Sequence, residues 1–180
     1  MTVQRRAIRD ATKVVLVTAA TALGESVFEN RVDPFRHRDL PAASIFTRAE
    51  QVSTFSEDPR GYIRDLELVV QLVVDGDGDV DDAIDELADE VERAIELGDL
   101  IETVPELADV TLERVEGPLL ADEGRRAVAM LQLVYQARYA REFAVDADEL
   151  TPFAGGTLSI DSHRPREGAE AESTFDVPTT

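Results

Sequence analysis

The chain has 180 residues, 43% of them hydrophobic, which suits one domain with a real core. Its 18 basic residues stand against 38 acidic ones, a formal net charge of -20, so binding to nucleic-acid phosphates is excluded as the main task. The absence of cysteine rules out disulfides, zinc-thiolate centres and thiol nucleophiles, and no apolar run reaches the roughly 20 residues a membrane span needs.

Residues 4 to 23 predict a first helix, with Ala7, Ile8, Ala11, Val14, Val15, Thr18, Ala19 and Ala22 on its apolar face and Gly24 ending the run. Arg5, Arg6 and Arg9 ahead of an apolar stretch superficially resemble a signal peptide. Asp10 and Lys13 interrupt that stretch and no clean cleavage site follows, so the expectation is an amphipathic helix in an intracellular protein. Val27 to Arg31 alternates as a small strand, 33–39 is a loop containing His37, and Ala42 to Thr47 is a second strand with Pro41 at its entry. Residues 48 to 61 are polar, carry Pro59 and Gly61, and predict an exposed loop or hairpin arm.

The strongest pattern spans Gly61 to Asp99. Leu66, Leu68, Val70, Leu72 and Val74 share one face at period two, while Asp65, Glu67 and Gln71 share the other, predicting a long half-buried strand over 62–74. Asp75-Gly76-Asp77-Gly78 is a turn. Asp79 then stands at the N-cap of an acidic helix whose single apolar stripe is Val80, Ile84, Leu87, Val91 and Ile95, with Gly98 as its stop. Leu100, Ile101 and Val104 form a partly buried connection before Pro105. Val110 to Val115 alternates as a strand closed by Gly117-Pro118, and Asp122-Glu123-Gly124 is a turn. Arg126 to Arg141 is one long strand, the natural neighbour of 62–74. The fold class expected is α+β: a mixed, mainly antiparallel sheet with two main helices packed on it, in a single domain over 1–143. Residues 144–180, with their Gly, Pro and acidic residues, are expected to be a flexible C-terminal tail.

Candidate chemistry is sparse. Asp75, Asp77, Asp79 and Glu86 occupy four positions of a calcium loop, but the sixth position is Val80 where such a loop needs glycine, and a strand precedes it instead of a helix. A turn plus a helix N-terminus explains these acids without a metal. His37 and His163 lack a second ligand or nucleophile at informative spacing. No serine sits in a nucleophile elbow, and Gly155-Gly156 lacks the Lys-Ser/Thr of a phosphate loop. Neither a catalytic residue nor a cofactor is expected.

Three stretches carry a family likeness: Val27-Phe28-Glu29-Asn30-Arg31 followed by Asp39-Leu40-Pro41-Ala42-Ala43-Ser44-Ile45-Phe46; Asp65-Leu66-Glu67-Leu68-Val69-Val70 running into a polar turn and an acidic helix; and the closing strand from Arg126 through Met130-Leu131-Gln132-Leu133-Val134-Tyr135 to Tyr139. In this order of elements, over roughly 4 to 143, the chain resembles the tail terminator family of long-tailed phages (the minor tail protein U family). The resemblance implies a non-enzymatic α+β subunit of a homo-hexameric ring. Such a ring caps the finished tail tube at the head-proximal end of the virion tail and presents a surface to head-completion or neck proteins, after assembly in the host cytoplasm. Its partners would be further copies of itself, the tail tube protein and those neck proteins, with no membrane involved. Arg48, Glu50, Phe55, Glu57, Asp58 and Arg60, in the polar segment 48–60, are the residues chosen for ring or tube contacts. The alternatives are another neck or head-closure component, a calcium-responsive binding module using Asp75, Asp77, Asp79 and Glu86, and last a small hydrolase.

Overall fold

The computed structural model describes residues 4–19, 21–76, 79–122 and 127–143. The elements in order are helix α1 (Gln4–Thr18), strand β1 (Val27–Glu29), β2 (Ala42–Glu57), β3 (Arg60–Gly76), helix α2 (Val80–Glu96), the short helix α3 (Leu100–Thr103), β4 (Leu107–Asp122) and β5 (Ala127–Phe143). They form a five-stranded sheet in the order β1-β2-β3-β5-β4. β1 runs parallel to β2 and every other pairing is antiparallel. This is the α+β architecture expected, with one sheet and helices on one of its faces.

Alternation in β3 and β5 builds the core. Leu66, Leu68, Val70, Leu72 and Val74 point to the helical side, beside Ala129, Leu131, Leu133, Tyr135, Ala137 and Tyr139 of β5. Helix α2 closes over them with Val80, Ile84, Leu87, Val91 and Ile95, the stripe its spacing predicts, all buried. At about 1.5–3 kcal/mol per buried aliphatic side chain, those five alone contribute on the order of 10 kcal/mol of gross burial energy. The opposite face of the sheet is not uniformly wet. Val69, Val73 and Val134 are buried there among polar groups that pair across strands, such as Gln132 donating to Gln71 at 3.3 Å.

Length decides what the helices cover. A 15-residue α1 spans about 22 Å and a 17-residue strand about 56 Å. The helical layer therefore shields only part of β2, β3 and β5.

Five elements differ from the sequence expectation. Helix α1 ends at Thr18, not 23, and turns its stripe: Leu16 and Thr12 are buried, whereas Val14 is 62% exposed. β2 does not stop at Thr47 but runs to Glu57 and pairs with β3 throughout. Residues 51–57 are thus a hairpin arm, polar because neither face is covered by a helix. β4 is not closed by Gly117-Pro118. It passes through them with a register shift between Glu116 and Leu119, which an edge strand tolerates because Pro118 owes no outward ladder bond. β5 continues to Phe143, and residues 100–103 form a helical turn with Leu100 buried and Ile101 exposed. The expected turn at Glu123-Gly124, Asp77 and the tail over 144–180 lie outside the described residues.

Candidate interface: the β-arm, its buried anchor and the helical groove

Beyond the helical layer β2, β3 and β5 continue as a three-stranded arm, pairing Thr54 with Tyr62, Tyr62 with Arg141 and Arg60 with Phe143. From Gln51 to Glu57 the arm extends about 23 Å. Alternation gives it two faces. On the helix side stand Val52 and Thr54 of β2, Arg60, Tyr62 and Arg64 of β3, and Arg141 and Phe143 of β5. Tyr62 and Phe143 meet edge to face with ring centroids 5.9 Å apart, and the Arg141 guanidinium lies 4.7 Å from the Phe143 centroid. Phe55 is the extra residue of a bulge between Thr54 and Ser56. Its ring covers Gly61, where a Cβ would fall 2.4 Å from the ring's Cζ.

The structure divides the six residues chosen from sequence. Phe55, Glu57, Asp58 and Arg60 gather at the exposed tip, where Arg60 and Glu57 form an ion pair at 3.6 Å. Arg48 sits at the base on the open face of the sheet, donating to Gln132 and approaching Glu116 at 3.5 Å. Glu50 points to the helical side, and its side chain is only 4% exposed. It is an internal anchor. Arg5 of α1, Arg64 at 3.2 Å and the Tyr139 hydroxyl all donate to its carboxylate, tying the base of the arm to the helix. Burial pushes the Glu50 carboxyl up, but the Arg5 and Tyr139 hydrogen bonds with the charges of Arg5 and Arg64 outweigh it, so it titrates below its ordinary value. Burial and the bond to Glu50 raise the Tyr139 phenol in turn.

Sequence reasoning missed Tyr62, Arg141 and Phe143 as arm residues. The continued alternation of Arg141 and Phe143 past Tyr139 was the available signal. A second feature was also missed: a groove of about 630 Å³ lined by the C-terminal half of α1 (Val14, Val15, Thr18) and the end of α2 with the turn after it (Glu90, Ala94, Leu97). Val14 and Leu97, the latter 78% exposed, flank it.

The open face carries a charge lattice. Arg114 donates to Glu67 and Glu116, both at 2.7 Å, and Arg138 to Asp65 at 2.7 Å. The Arg114–Glu67 and Arg138–Asp65 pairs tie β4 and β5 to β3 across the open face. Among the calcium-motif acids, the Asp75 carboxylate lies 3.0 Å from His37 Nδ1, Asp79 precedes α2 without a side-chain cap bond, and Glu86 is an exposed residue of that helix. Among the described residues no three His, Asp or Glu side chains are placed to hold a metal ion. None of the described helices is long and apolar enough to cross a membrane.

No protein-family model matches the sequence, and no curated protein matches it. Among solved structures, a chain from the virion of a native gene transfer agent particle superposes with a TM-score of 0.40 at 16% identity, covering 76% of this chain and 96% of that one. A likeness that loose carries no argument about function.

Proposed function

We propose that this chain is a structural assembly protein of a long-tailed phage or phage-like particle. In this reading it is a tail terminator whose copies close into a six-membered ring on the end of the tail tube, stop its growth and offer the opposite surface to head-completion proteins. The role is mechanical, with no reaction and no cofactor. The observation that carries the reading is the arm. A three-stranded projection with Val52, Phe55 and Phe143 each about half exposed is covered by no helix among the described residues. It does suit an interface repeated by rotation, where one patch of a subunit meets a different patch of the next. The order of elements quoted above from Val27 to Tyr139 supports the tail-terminator assignment within that class.

The test is tube assembly. Tail tube protein polymerised with the chain should give tubes of arrested length with a ring at one end in electron micrographs. Tubes that overgrow equally with and without it would defeat the proposal.

A further inference from the structure

We infer that the aromatic, cationic face of the arm docks into the α1–α2 groove of a second copy, head to tail. The inference rests on the ring reading and names the two patches that would meet.

The two surfaces are complementary in charge. The exposed helix-side face of the arm holds Arg60 and Arg141 against Glu57, around an apolar centre of Val52, Tyr62 and Phe143. Positive surface is scarce in a chain of net charge -20. Arg60 and Arg64 are engaged by Glu57 and Glu50, whereas Arg141 stacks on Phe143 and makes no side-chain hydrogen bond among the described residues. The groove has the opposite character. Val15, Ala94 and Gly98 form an apolar floor, with Glu90 and Asp99 on the rim. Arg93 is turned to Asp89 at 2.5 Å, and α2 as a whole carries eight acidic residues to one arginine.

Geometry assigns the contact to another copy. β2 runs antiparallel to α1: Arg9 donates to Thr47 at 3.3 Å and, one turn earlier in the helix, Arg5 to Glu50. The arm leaves past the N-terminal end of α1, while the groove lies along its C-terminal half. Arm and groove therefore sit at opposite ends of the same helix, and the arm of one copy cannot reach its own groove. Two different patches at opposite ends produce a heterologous contact, which closes as a ring or runs on as a filament.

Because the chain has no cysteine, the contact can be trapped cleanly. Full-length Arg141→Cys mixed with full-length Val14→Cys should form a disulfide-linked pair under mild oxidation. Arg141→Cys mixed with Val32→Cys, at a position 95% exposed outside both patches, should not. The double variant Arg141→Cys/Val14→Cys should give a ladder reaching six subunits. Arg141→Glu should weaken self-association by at least about tenfold, as juxtaposed like charges do, and Glu90→Arg combined with it should recover most of the loss. Equal cross-linking with Val32→Cys, a ladder that stops at two, or unaltered assembly of Arg141→Glu would each overturn the arm-in-groove contact. Those outcomes leave a ring built on other patches standing. A wild-type chain that stays monomeric at every concentration would overturn the ring itself.

Discussion

Replacing Glu50 by Gln isolates the anchor that holds the arm to the helical layer. The substitution keeps the volume and an acceptor for the Tyr139 hydroxyl but removes the charge that Arg5 and Arg64 face. Stripping one member from a buried ion pair costs about 3–5 kcal/mol. Arg5 is nearly half exposed and can rehydrate, whereas Arg64 is mostly buried and its Nε already lacks a hydrogen-bond partner among the described residues. The expected loss is therefore about 2–3 kcal/mol. In urea unfolding this lowers the midpoint at unchanged slope, and in a chain of this size it lowers Tm by roughly 6–9 °C. The effect has a pH signature. The folded carboxyl titrates below its ordinary 4.5, so the unfolded chain takes up the proton first. The stabilisation is complete above about pH 4.5 and is lost as pH falls through the folded value. Wild type and variant should thus converge on acidification below pH 4.5. A loss under about 0.5 kcal/mol at pH 7, or a gap that does not narrow in acid, would refute the anchor.

Further urea experiments separate packing from appearance. Leu16→Ala, at a fully buried position, should cost about 2–5 kcal/mol, while Val14→Ala on the same helix should stay within about 0.5 kcal/mol. The Tyr135 hydroxyl is buried without a hydrogen-bond partner among the described residues, and its pKa is raised by burial and then by the charges of Glu92 and Glu96. Tyr135→Phe should consequently be neutral or up to about 1 kcal/mol stabilising. Gly117→Ala should cost about 1–3 kcal/mol, because φ is +113° and the new Cβ meets the Met130 carbonyl oxygen at 2.9 Å. Gly61→Ala displaces only the movable Phe55 ring and should cost less than about 1 kcal/mol.

What the sequence made legible follows from where water is excluded. Leu66 to Val74 and Val80 to Ile95 face one core, so their periods of two and of three to four survive in the letters and locate β3, α2 and the pairing of β3 with β5. The arm has no covered face. Gln51 to Glu57 therefore carry no apolar alternation, and a strand held by ladder hydrogen bonds alone resembles a loop. β4 is an edge strand, and its bulged passage through Gly117-Pro118 resembles a terminus. In α1 the abundance of Val and Ala hides which residues face inward: Leu16 does, while Val14 faces the groove. Glu50 was chosen from sequence because charge in a polar segment suggests a surface. Only the three-dimensional meeting of Arg5, Arg64 and Tyr139 makes it an interior residue.

Native mass measurement of the full chain across a salt series tests ring formation most directly. In the proposed ring six subunits, each carrying a formal -20, would repel one another, and that repulsion reaches about 30 Å at 0.01 M salt but only about 8 Å at 0.15 M. The inferred contacts between the arm and the groove would act at shorter range and be screened less. The account predicts monomers in dilute low-salt buffer and, as salt rises to the physiological range, a single larger species of six times 19.8 kDa. A monomer at every salt and concentration, or a six-subunit species that dissociates over that same rise, would contradict it.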